Sequence, residues 1–438
     1  MNTSLRGFYS AIWSRTSKDR RDFIWSLVGN GSQAAAQWGV LFLLVRVESP
    51  AIVGEYGLAI GLATPFMLLA DLQLRTLQGT DFKKAFDFAD YMALRWAALV
   101  FAIAALTIVL NFSNYGMQVK IMALLFALRL AISAVTDVYY GLFLQHGRID
   151  ILGQAAAITQ FCIFTSFSFG LLVTGNLLFA MAGAALAVLA SLLAFTSRRA
   201  KLLPPFQVER PVRLVRWKLP VQVELFKTAF PLGVTLFLIS LTANMPRYFL
   251  GALGLESELG ILVALMSLLT VGSLLSNAIG QSLLPKVTHA YAAGSQEIFT
   301  HLVLKCFALG ILLTIVAVAF ASLLGPFVAG HMFGPEYARR RFVIVCLAMI
   351  FGIELLTRIV GIAVTVARLL NVQVLINIAS LISSVVLLAL LVPAYSLKGA
   401  TLAILVTALI RLGLLTAVLH RHITAWPKRM SLQRNLNP

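Results

Sequence analysis

The sequence has little charge, and what charge it has is uneven in sign. Charged residues make up 12% of the 438 residues, with 35 lysines and arginines against 17 aspartates and glutamates. A water-soluble protein carries about twice that share of charged residues. Hydrophobic residues make up 60% of the chain, and the mean hydropathy is +0.90. This composition excludes a soluble globular protein and predicts a protein of the lipid bilayer.

Sequence signals of enzymatic chemistry are equally scarce. The three cysteines lie in apolar segments, without the spacing of a disulfide framework or a metal site. The six histidines are scattered, and there is no Gly-rich nucleotide-binding loop with its lysine. We therefore predict that the protein is not an enzyme and that it uses no cofactor and no metal.

Apolar segments long enough to cross a bilayer fill most of the chain. A transmembrane helix needs about 20 apolar residues, and in hydrocarbon the backbone must be paired within a helix or a closed barrel. Barrel strands alternate in polarity, whereas runs such as Trp96–Leu110 are apolar all round. We predict an all-α polytopic membrane protein with about 12 transmembrane helices. The predicted spans are 24–45, 51–74, 92–112, 118–143, 151–174, 176–196, 225–247, 259–282, 300–324, 342–367, 371–392 and 396–419.

Most of the basic residues outside the spans cluster in alternate loops. This pattern follows the positive-inside rule if both termini are cytoplasmic, and it explains the net charge of +18 without nucleic acid. The run Arg339–Arg341 opposes the rule. It is either functional or a set of arginines that snorkel to the interface before span 10.

A basic, proline-containing segment at 197–222 divides the chain into two halves. Its composition predicts a linker along the anionic cytoplasmic leaflet. The predicted organisation is a basic cytoplasmic N-terminal segment (1–22), a first six-helix lobe (23–196), the linker (197–222), a second six-helix lobe (223–420) and a cytoplasmic tail (421–438).

Polar residues inside the predicted spans carry the functional information. Such groups are costly in hydrocarbon, so they either line a water-filled cavity or hold helices together. Three of them share one face of span 1, and others lie in spans 4, 8, 10 and 12. These residues are Asn30, Gln33, Gln37, Arg129, Asp137, Asn277, Gln281, Glu354, Arg358 and Arg411.

The charges in the spans are predominantly positive. Arg129, Arg358 and Arg411 are opposed by Asp137 and Glu354, and the spacing of Glu354 and Arg358 allows a pair on one helix. Arginine binds phosphate oxygens bidentately and keeps its charge. A cationic lumen rich in amides suits an anionic glycolipid head group, whose sugars would lose hydrogen bonds in hydrocarbon.

Six motifs lie in order along the chain. They are Val53-Gly54-Glu55-Tyr56-Gly57, Leu69-Ala70-Asp71-Leu72, Asn244-Met245-Pro246-Arg247-Tyr248, Gly280-Gln281-Ser282-Leu283-Leu284-Pro285, Met332-Phe333-Gly334-Pro335-Glu336-Tyr337 and Pro393-Ala394-Tyr395-Ser396-Leu397-Lys398-Gly399-Ala400. These motifs resemble those of Wzx-type polysaccharide flippases, which belong to the multidrug/oligosaccharidyl-lipid/polysaccharide exporter superfamily. One departure is Gln73, where that family more often has glycine.

The resemblance implies two six-helix lobes around a central cavity, and a secondary transporter that works by alternating access. It also implies a polyprenyl-diphosphate-linked oligosaccharide as cargo, carried across the bacterial inner membrane for surface polysaccharide or lipopolysaccharide biosynthesis. The expected partners are this lipid-linked substrate, membrane lipids, and the polysaccharide polymerase and chain-length machinery, with no nucleic acid.

On this basis we assign expected roles to the polar residues. Arg129, Arg358 and Arg411 would hold the diphosphate or acidic sugars, and Arg247, at the predicted outer end of span 7, is a further substrate-binding candidate. The amides Asn30, Gln33, Gln37, Asn277 and Gln281 would contact sugar hydroxyls, and Asp137 and Glu354 would couple transport to protons or cations.

Two alternatives remain open. The first is a cation- or proton-coupled exporter of drugs or small lipids from the same superfamily. The second is a membrane scaffold that transports nothing.

Overall fold

In the computed structural model the chain is built almost entirely of helices. The structure describes residues 17–81, 85–203 and 215–426, and no strand occurs within these ranges. The helices are α1 (Ser17–Val47), α2 (Pro50–Asp71), α3 (Leu74–Thr80), α4 (Phe88–Phe112), α5 (Met117–Gln145), α6 (Ile149–Thr174), α7 (Leu177–Ser191), α8 (Ser197–Ala200), α9 (Leu219–Ala252), α10 (Glu256–Ala292), α11 (Gln296–Leu323), α12 (Gly325–Phe333), α13 (Pro335–Ala338), α14 (Arg341–Val366) and α15 (Leu370–Thr424). A π-helical turn, Leu192–Thr196, joins α7 to α8.

The helices confirm a polytopic all-α membrane protein with about 12 crossings. Nine helical segments in the described part of the chain are long and apolar enough to span a bilayer. One of these is Val372–Thr424, which is nearly all of α15. Ser396 interrupts it with non-helical angles (φ 48°, ψ −124°), so it supplies two crossings. Helices α1 and α10, with 31 and 37 residues, are also long enough to cross.

The chain folds as two compact units. Unit 1 comprises the described residues up to Val40 and those from Phe66 to Leu236, and unit 2 comprises Leu41–Pro65 and the described residues from Phe237 onward. Helices α1, α2 and α9 therefore each contribute one part to each unit. The division into six-helix lobes at 23–196 and 223–420 stays a prediction.

Unit 1 is organised around α5, which packs against α3, α4 and α7. Large apolar side chains such as Phe143 and Met122 of α5 are completely buried there. Helices α1 and α6 approach closely at Gly153, where an added Cβ would lie 2.2 Å from the Trp25 carbonyl oxygen. Glycine is required at this crossing because any side chain would collide with backbone.

Unit 2 is organised around α14, which packs against α10, α11 and α15. Its core includes Phe299, Leu355 and Ile359, and Trp426 closes one end of it. The rings of Trp426 and Tyr291 meet edge to face with centroids 4.8 Å apart. This contact fixes the end of α15 against α10 through aromatic packing.

Three segments predicted as loops or linker contain helix. The segment after span 2 contains α3, which buries Leu74 and Gln78, and the predicted outer loop at 325–341 contains α12 and α13. At the predicted linker 197–222, helix continues to Ala200 and resumes at Leu219. Residues 1–16, 204–214 and 427–438 lie outside the described residues. They hold most of the predicted N-terminal segment, part of the linker and most of the tail.

Candidate functional site

The three amides predicted on one face of span 1 lie on α1 in unit 1. Asn30, Gln33 and Gln37 are all exposed at the surface of the protein. The Asn30 amide donates a hydrogen bond to the Ser26 carbonyl oxygen at 2.9 Å. A polar strip within a predicted span is costly against lipid, so this face suits an aqueous surface or a polar ligand.

Asp137, a predicted coupling residue, forms an ion pair within unit 1. The Arg75 guanidinium of α3 lies 3.2 Å from the Asp137 carboxylate of α5. The Asp137 side chain is 29% exposed and that of Arg75 is 47% exposed. Arg75 directly follows predicted span 2 in the sequence, and the structure places it in the short helix α3.

A second ion pair lies beside the first, and sequence reasoning did not single it out. Arg95 of α4 is completely buried, 3.3 Å from the Asp71 carboxylate at the end of α2. Its guanidinium also donates a hydrogen bond to the Ala70 carbonyl oxygen at 2.8 Å. The sequence does place Arg95 inside an apolar predicted span, where a charged residue is costly without a partner. That position could have indicated a buried ion pair.

Together these four groups form a charge cluster that we call the unit 1 quartet: Asp71, Arg75, Arg95 and Asp137. Both Asp71 and Arg95 contribute electrostatically to the environment of Asp137. The quartet has no net charge when all four groups are ionised. Loss of charge on one carboxylate would leave an arginine without its counter-ion, so the cluster can respond to proton or cation binding.

Arg129 lies in unit 1, in the same helix as Asp137. It is partly buried, and its guanidinium carbon lies 4.6 Å from the centroid of the Phe126 ring. Stacking on an aromatic face leaves the edge of a guanidinium able to donate hydrogen bonds.

Within unit 2 the structure brings two predicted residues together. Arg411 of α15 and Glu354 of α14 approach to 3.7 Å. This ion pair joins two helices, and the pair that the spacing allows between Glu354 and Arg358 on one helix stays a prediction. Arg358 is exposed one turn further along α14, and its side chain passes close to Gly280 of α10.

Arg247, which ends the predicted span 7, lies within α9, which continues for five more residues to Ala252. Its guanidinium donates a hydrogen bond to the Asn244 side-chain oxygen at 2.8 Å. The aliphatic part of its side chain packs against Gly61 of α2. Among the residues that the structure describes, no carboxylate forms an ion pair with Arg247.

Two further predicted residues lie on α10. Asn277 and Gln281 belong to this helix, but their side chains lie outside the part of the chain that the structure describes. Their expected contacts with sugar hydroxyls stay a prediction.

Outside the spans, the end of the linker is tied to the start of α4. Arg216 forms a bidentate pair with the buried Asp90 carboxylate, at 2.9 and 2.5 Å, and also contacts Asp87 at 2.8 Å. Its hydrogen bonds to Asp90 raise the pKa of the Arg216 guanidinium above its ordinary value. Gln222, at the start of α9, donates a hydrogen bond to the Asp90 carbonyl oxygen at 3.3 Å. The end of the linker and the start of α9 are therefore both held against α4.

Metal ligation has no visible basis in the described ranges. They contain no group of three or more His, Cys, Asp or Glu side chains that could hold a metal ion. The polar groups brought together in each unit are arginines, carboxylates and amides, a set suited to binding anions and protons.

Comparison with known proteins gives the family context. No protein-family model matches the chain. The capsular polysaccharide biosynthesis protein CapF of Staphylococcus aureus is 23% identical over 394 residues, covering 90% of this chain and 97% of CapF.

Solved structures of transporters share the fold. The lipid II flippase MurJ in an inward closed conformation matches with a TM-score of 0.66 at 11% identity, over 92% of this chain and 87% of MurJ. An inward-facing multidrug resistance MATE family transporter of the MOP superfamily matches with a TM-score of 0.65 at 12% identity, over 92% of this chain and 95% of that one. The chain therefore shares the fold of these transporters, and the resemblance drawn from the sequence motifs agrees with the similarity to CapF.

Proposed function

We propose that this protein is a flippase that moves a polyprenyl-diphosphate-linked oligosaccharide across the bacterial inner membrane for surface polysaccharide biosynthesis. It would work as a secondary transporter by alternating access, with no enzymatic step and no cofactor. The observation that carries the proposal is the similarity to CapF along nearly the whole length of both chains. The shared fold with a lipid II flippase supports a lipid-linked cargo.

The arginines are the proposed contacts for the diphosphate and for acidic sugars. Arg411 is held by Glu354 at 3.7 Å, a distance at which the guanidinium keeps donors for a second anion. Arg247 has an amide oxygen as its hydrogen-bond partner, so its charge is available to an anionic ligand. Arg129 and Arg358 complete the proposed set.

The amides are the proposed contacts for sugar hydroxyls. Asn30, Gln33 and Gln37 form an exposed polar strip on α1, and each amide can both donate and accept. Sugar hydroxyls need such partners when they leave water. Asn277 and Gln281 of α10 are proposed for the same role from the sequence alone.

Asp137 and Glu354 are the proposed coupling residues. Each is paired with an arginine, and neither is fully enclosed, so protons or cations can reach them. Neutralising either carboxylate frees a guanidinium, which changes the local charge by one. If that charge crosses the membrane field, the potential supplies ~2.3 kcal/mol per 100 mV.

The protein would lie in the inner membrane with both termini in the cytoplasm, as its distribution of basic residues favours. Its proposed partners are the lipid-linked substrate, the surrounding lipids, and the polymerase and chain-length machinery that would use the flipped product.

A second candidate is an exporter of drugs or small lipids. The fold matches a multidrug resistance MATE family transporter almost as well as it matches the lipid II flippase. The surplus of arginines over carboxylates among the candidate residues favours an anionic cargo over the organic cations that acidic sites bind.

The test is a strain that lacks this protein. The flippase proposal predicts that a lipid-linked oligosaccharide accumulates on the cytoplasmic side while the surface polymer disappears. The intact gene should reverse both effects. A strain with unchanged surface glycan and altered drug tolerance would instead support the exporter.

Charge variants make this test specific to the proposed site. Arg411→Gln should fail to restore the polymer, and Arg411→Lys should restore it in part because it keeps the charge but loses the fork. Lys398→Gln, which removes an exposed positive charge elsewhere in unit 2, is the matched control and should restore the polymer fully.

A further inference from the structure

Helix α2 ends at Asp71 and α3 begins at Leu74, close to the predicted end of span 2, although the break contains neither glycine nor proline. Two residues, Leu72 and Gln73, separate the helices, and both have φ of 48°, in the left-handed region. Residues with side chains are disfavoured there. Leucine and glutamine are instead good helix formers.

A continuous helix is the obvious alternative for this segment. By length and hydropathy, Pro50–Thr80 forms one 31-residue span. Straightening the chain at Leu72 and Gln73 would merge α2 and α3 and relieve both unfavourable backbone conformations. Some other interaction must therefore hold the broken form.

Arg95 supplies that interaction from α4. Its buried guanidinium binds the Ala70 carbonyl oxygen and the Asp71 carboxylate, the last two residues of α2. Carbonyls at a helix C-terminus carry partial negative charge, which a cation satisfies. On the other side of the break, Arg75 ties α3 to Asp137 of α5.

The broken form has a second unfavourable feature besides the backbone conformations of Leu72 and Gln73. Gln78 of α3 is completely buried, and its side-chain nitrogen and oxygen both have no hydrogen-bond partner in the described structure. The side chain lies directly against Gly141 of α5. A buried unpaired amide is unfavourable, so other contacts must hold α3 in place, among them the Arg75–Asp137 ion pair and the buried Leu74 side chain.

We propose that the break between α2 and α3 is a two-state switch, and that Arg95 is the positioning residue that holds its broken form. In the other state Asp71 and the Ala70 carbonyl release Arg95, and the chain becomes helical through Leu72 and Gln73. The link to Asp137 through Arg75 ties the switch to the proposed coupling site. Only this last link rests on the proposed function.

The contact between α3 and α5 reports the state of the switch. A Cβ added at Gly79 lies 3.1 Å from Leu144 Cβ, so cysteines at both positions are close enough to form a disulfide after a small adjustment. A continuous helix would carry residue 79 away from α5. The measurement is the rate of disulfide formation by Gly79→Cys/Leu144→Cys in membranes, with the full chain and its three native cysteines replaced by alanine.

Two substitutions shift the switch in this background. Gln73→Val places a β-branched residue in the left-handed region and should slow the disulfide severalfold. Arg95→Gln removes the cation that binds the end of α2 and should slow it as well. Gln73→Gly removes the backbone penalty and should keep the rate at or above that of the parent.

A second cysteine pair controls for general loosening. Gly183 of α7 faces Ser166 of α6, where an added Cβ lies 2.8 Å from the Ser166 hydroxyl oxygen, and no motion of α3 should affect this pair. The proposal is overturned if Gln73→Val leaves the Gly79/Leu144 rate unchanged relative to this control. That comparison stands even if Arg95→Gln fails to fold.

Transport separates the switch from the proposed function. The oxidised Gly79→Cys/Leu144→Cys protein should fail to restore surface polymer in the deletion strain, and a reductant should recover it. If Gln73→Val slows the disulfide but the deletion strain still makes its surface polymer, the switch is supported and the flippase function is rejected. A crosslinked protein that supports full polymer export would show that the broken form is permanent and overturn the switch.

Discussion

The Tyr248 hydroxyl of α9 donates a hydrogen bond to the Gly61 carbonyl oxygen of α2 at 2.5 Å. Gly61 lies four residues before Pro65, which is inside the same helix and has no N–H to offer that carbonyl. The tyrosine thus replaces the helical donor that the proline removes. The neighbouring residue, Arg247, packs on the same glycine.

Tyr248→Phe should therefore destabilise the protein. It leaves a carbonyl without a donor at a helix contact, which costs roughly 1–3 kcal/mol. We expect a lower midpoint of thermal unfolding for the purified variant in detergent. Tyr395→Phe, at a tyrosine that is 61% exposed, is the control and should leave the midpoint unchanged. Equal midpoints for both variants would mean that the Gly61 carbonyl needs no such donor.

Gly54→Ala and Gly260→Ala should each be severely destabilising. An added Cβ at Gly54 would lie 2.0 Å from the Glu256 carbonyl oxygen, and one at Gly260 would lie 1.8 Å from that of Pro50. Backbone atoms cannot move aside as a flexible side chain can, so overpacking here should cost at least the usual ~1–3 kcal/mol.

The yield of folded protein in the membrane measures this effect. Gly413→Ala is the matched control, because no atom lies within 4 Å of its added Cβ, and it should be produced normally. Normal yields of the Gly54 variant would show that α2 and α10 do not pack this closely.

The two aspartates that bind Arg216 should differ sharply in importance. Asp90 is 1% exposed and forms the bidentate contact, whereas Asp87 is 63% exposed. We expect Asp90→Asn to cost ~1.5–3 kcal/mol, as for hydrogen bonds to charged groups. Asp87→Asn should cost less than ~1 kcal/mol because exposed pairs contribute little.

Limited proteolysis in the linker would detect this loss directly. Asp90→Asn should speed cleavage near Arg216, and Asp87→Asn should leave the rate close to that of the parent. Identical cleavage rates in the two variants would argue that the linker is not held at Asp90.

Substitutions of Arg411 and Glu354 should affect different steps, the first substrate binding and the second coupling to an ion gradient. Arg411→Gln should weaken the affinity for a polyprenyl diphosphate about tenfold or more, the loss of one charge-assisted contact. Glu354→Gln should keep that affinity but reduce transport driven by an ion gradient. Ligand-induced fluorescence change in the purified protein measures the first effect, and gradient-driven uptake measures the second. An equal loss of affinity in both variants would reduce the pair to a structural contact.

Much of the fold followed from the sequence because lipid leaves few options. Uninterrupted apolar runs such as Trp96–Leu110 predicted helices that the structure contains. The turn predicted between spans 11 and 12 lies at Ser396, where Pro393 precedes it and the Glu258 carboxylate accepts a hydrogen bond from the Leu397 N–H at 2.6 Å.

Other features depend on contacts between helices that no local sequence pattern predicts. The break at Leu72 and Gln73 contradicts helix propensity, and it is held by Arg95 from another helix. The same holds for the ion pairs. Glu354 of α14 forms an ion pair with Arg411, which lies 57 residues later in α15. Spacing along one helix does not indicate such a partner, because packing between helices brings the two residues together.

The central claim is that this protein moves a lipid-linked saccharide between leaflets. The most direct measurement uses the purified protein in liposomes, with a short polyprenyl-diphosphate-linked saccharide whose outer-leaflet copies are counted by an impermeant sugar-modifying reagent. We expect the protein to make the inner-leaflet copies accessible, and Arg411→Gln to do so much more slowly. Accessibility equal to that of protein-free liposomes, from folded protein under an ion gradient, would contradict the flippase function.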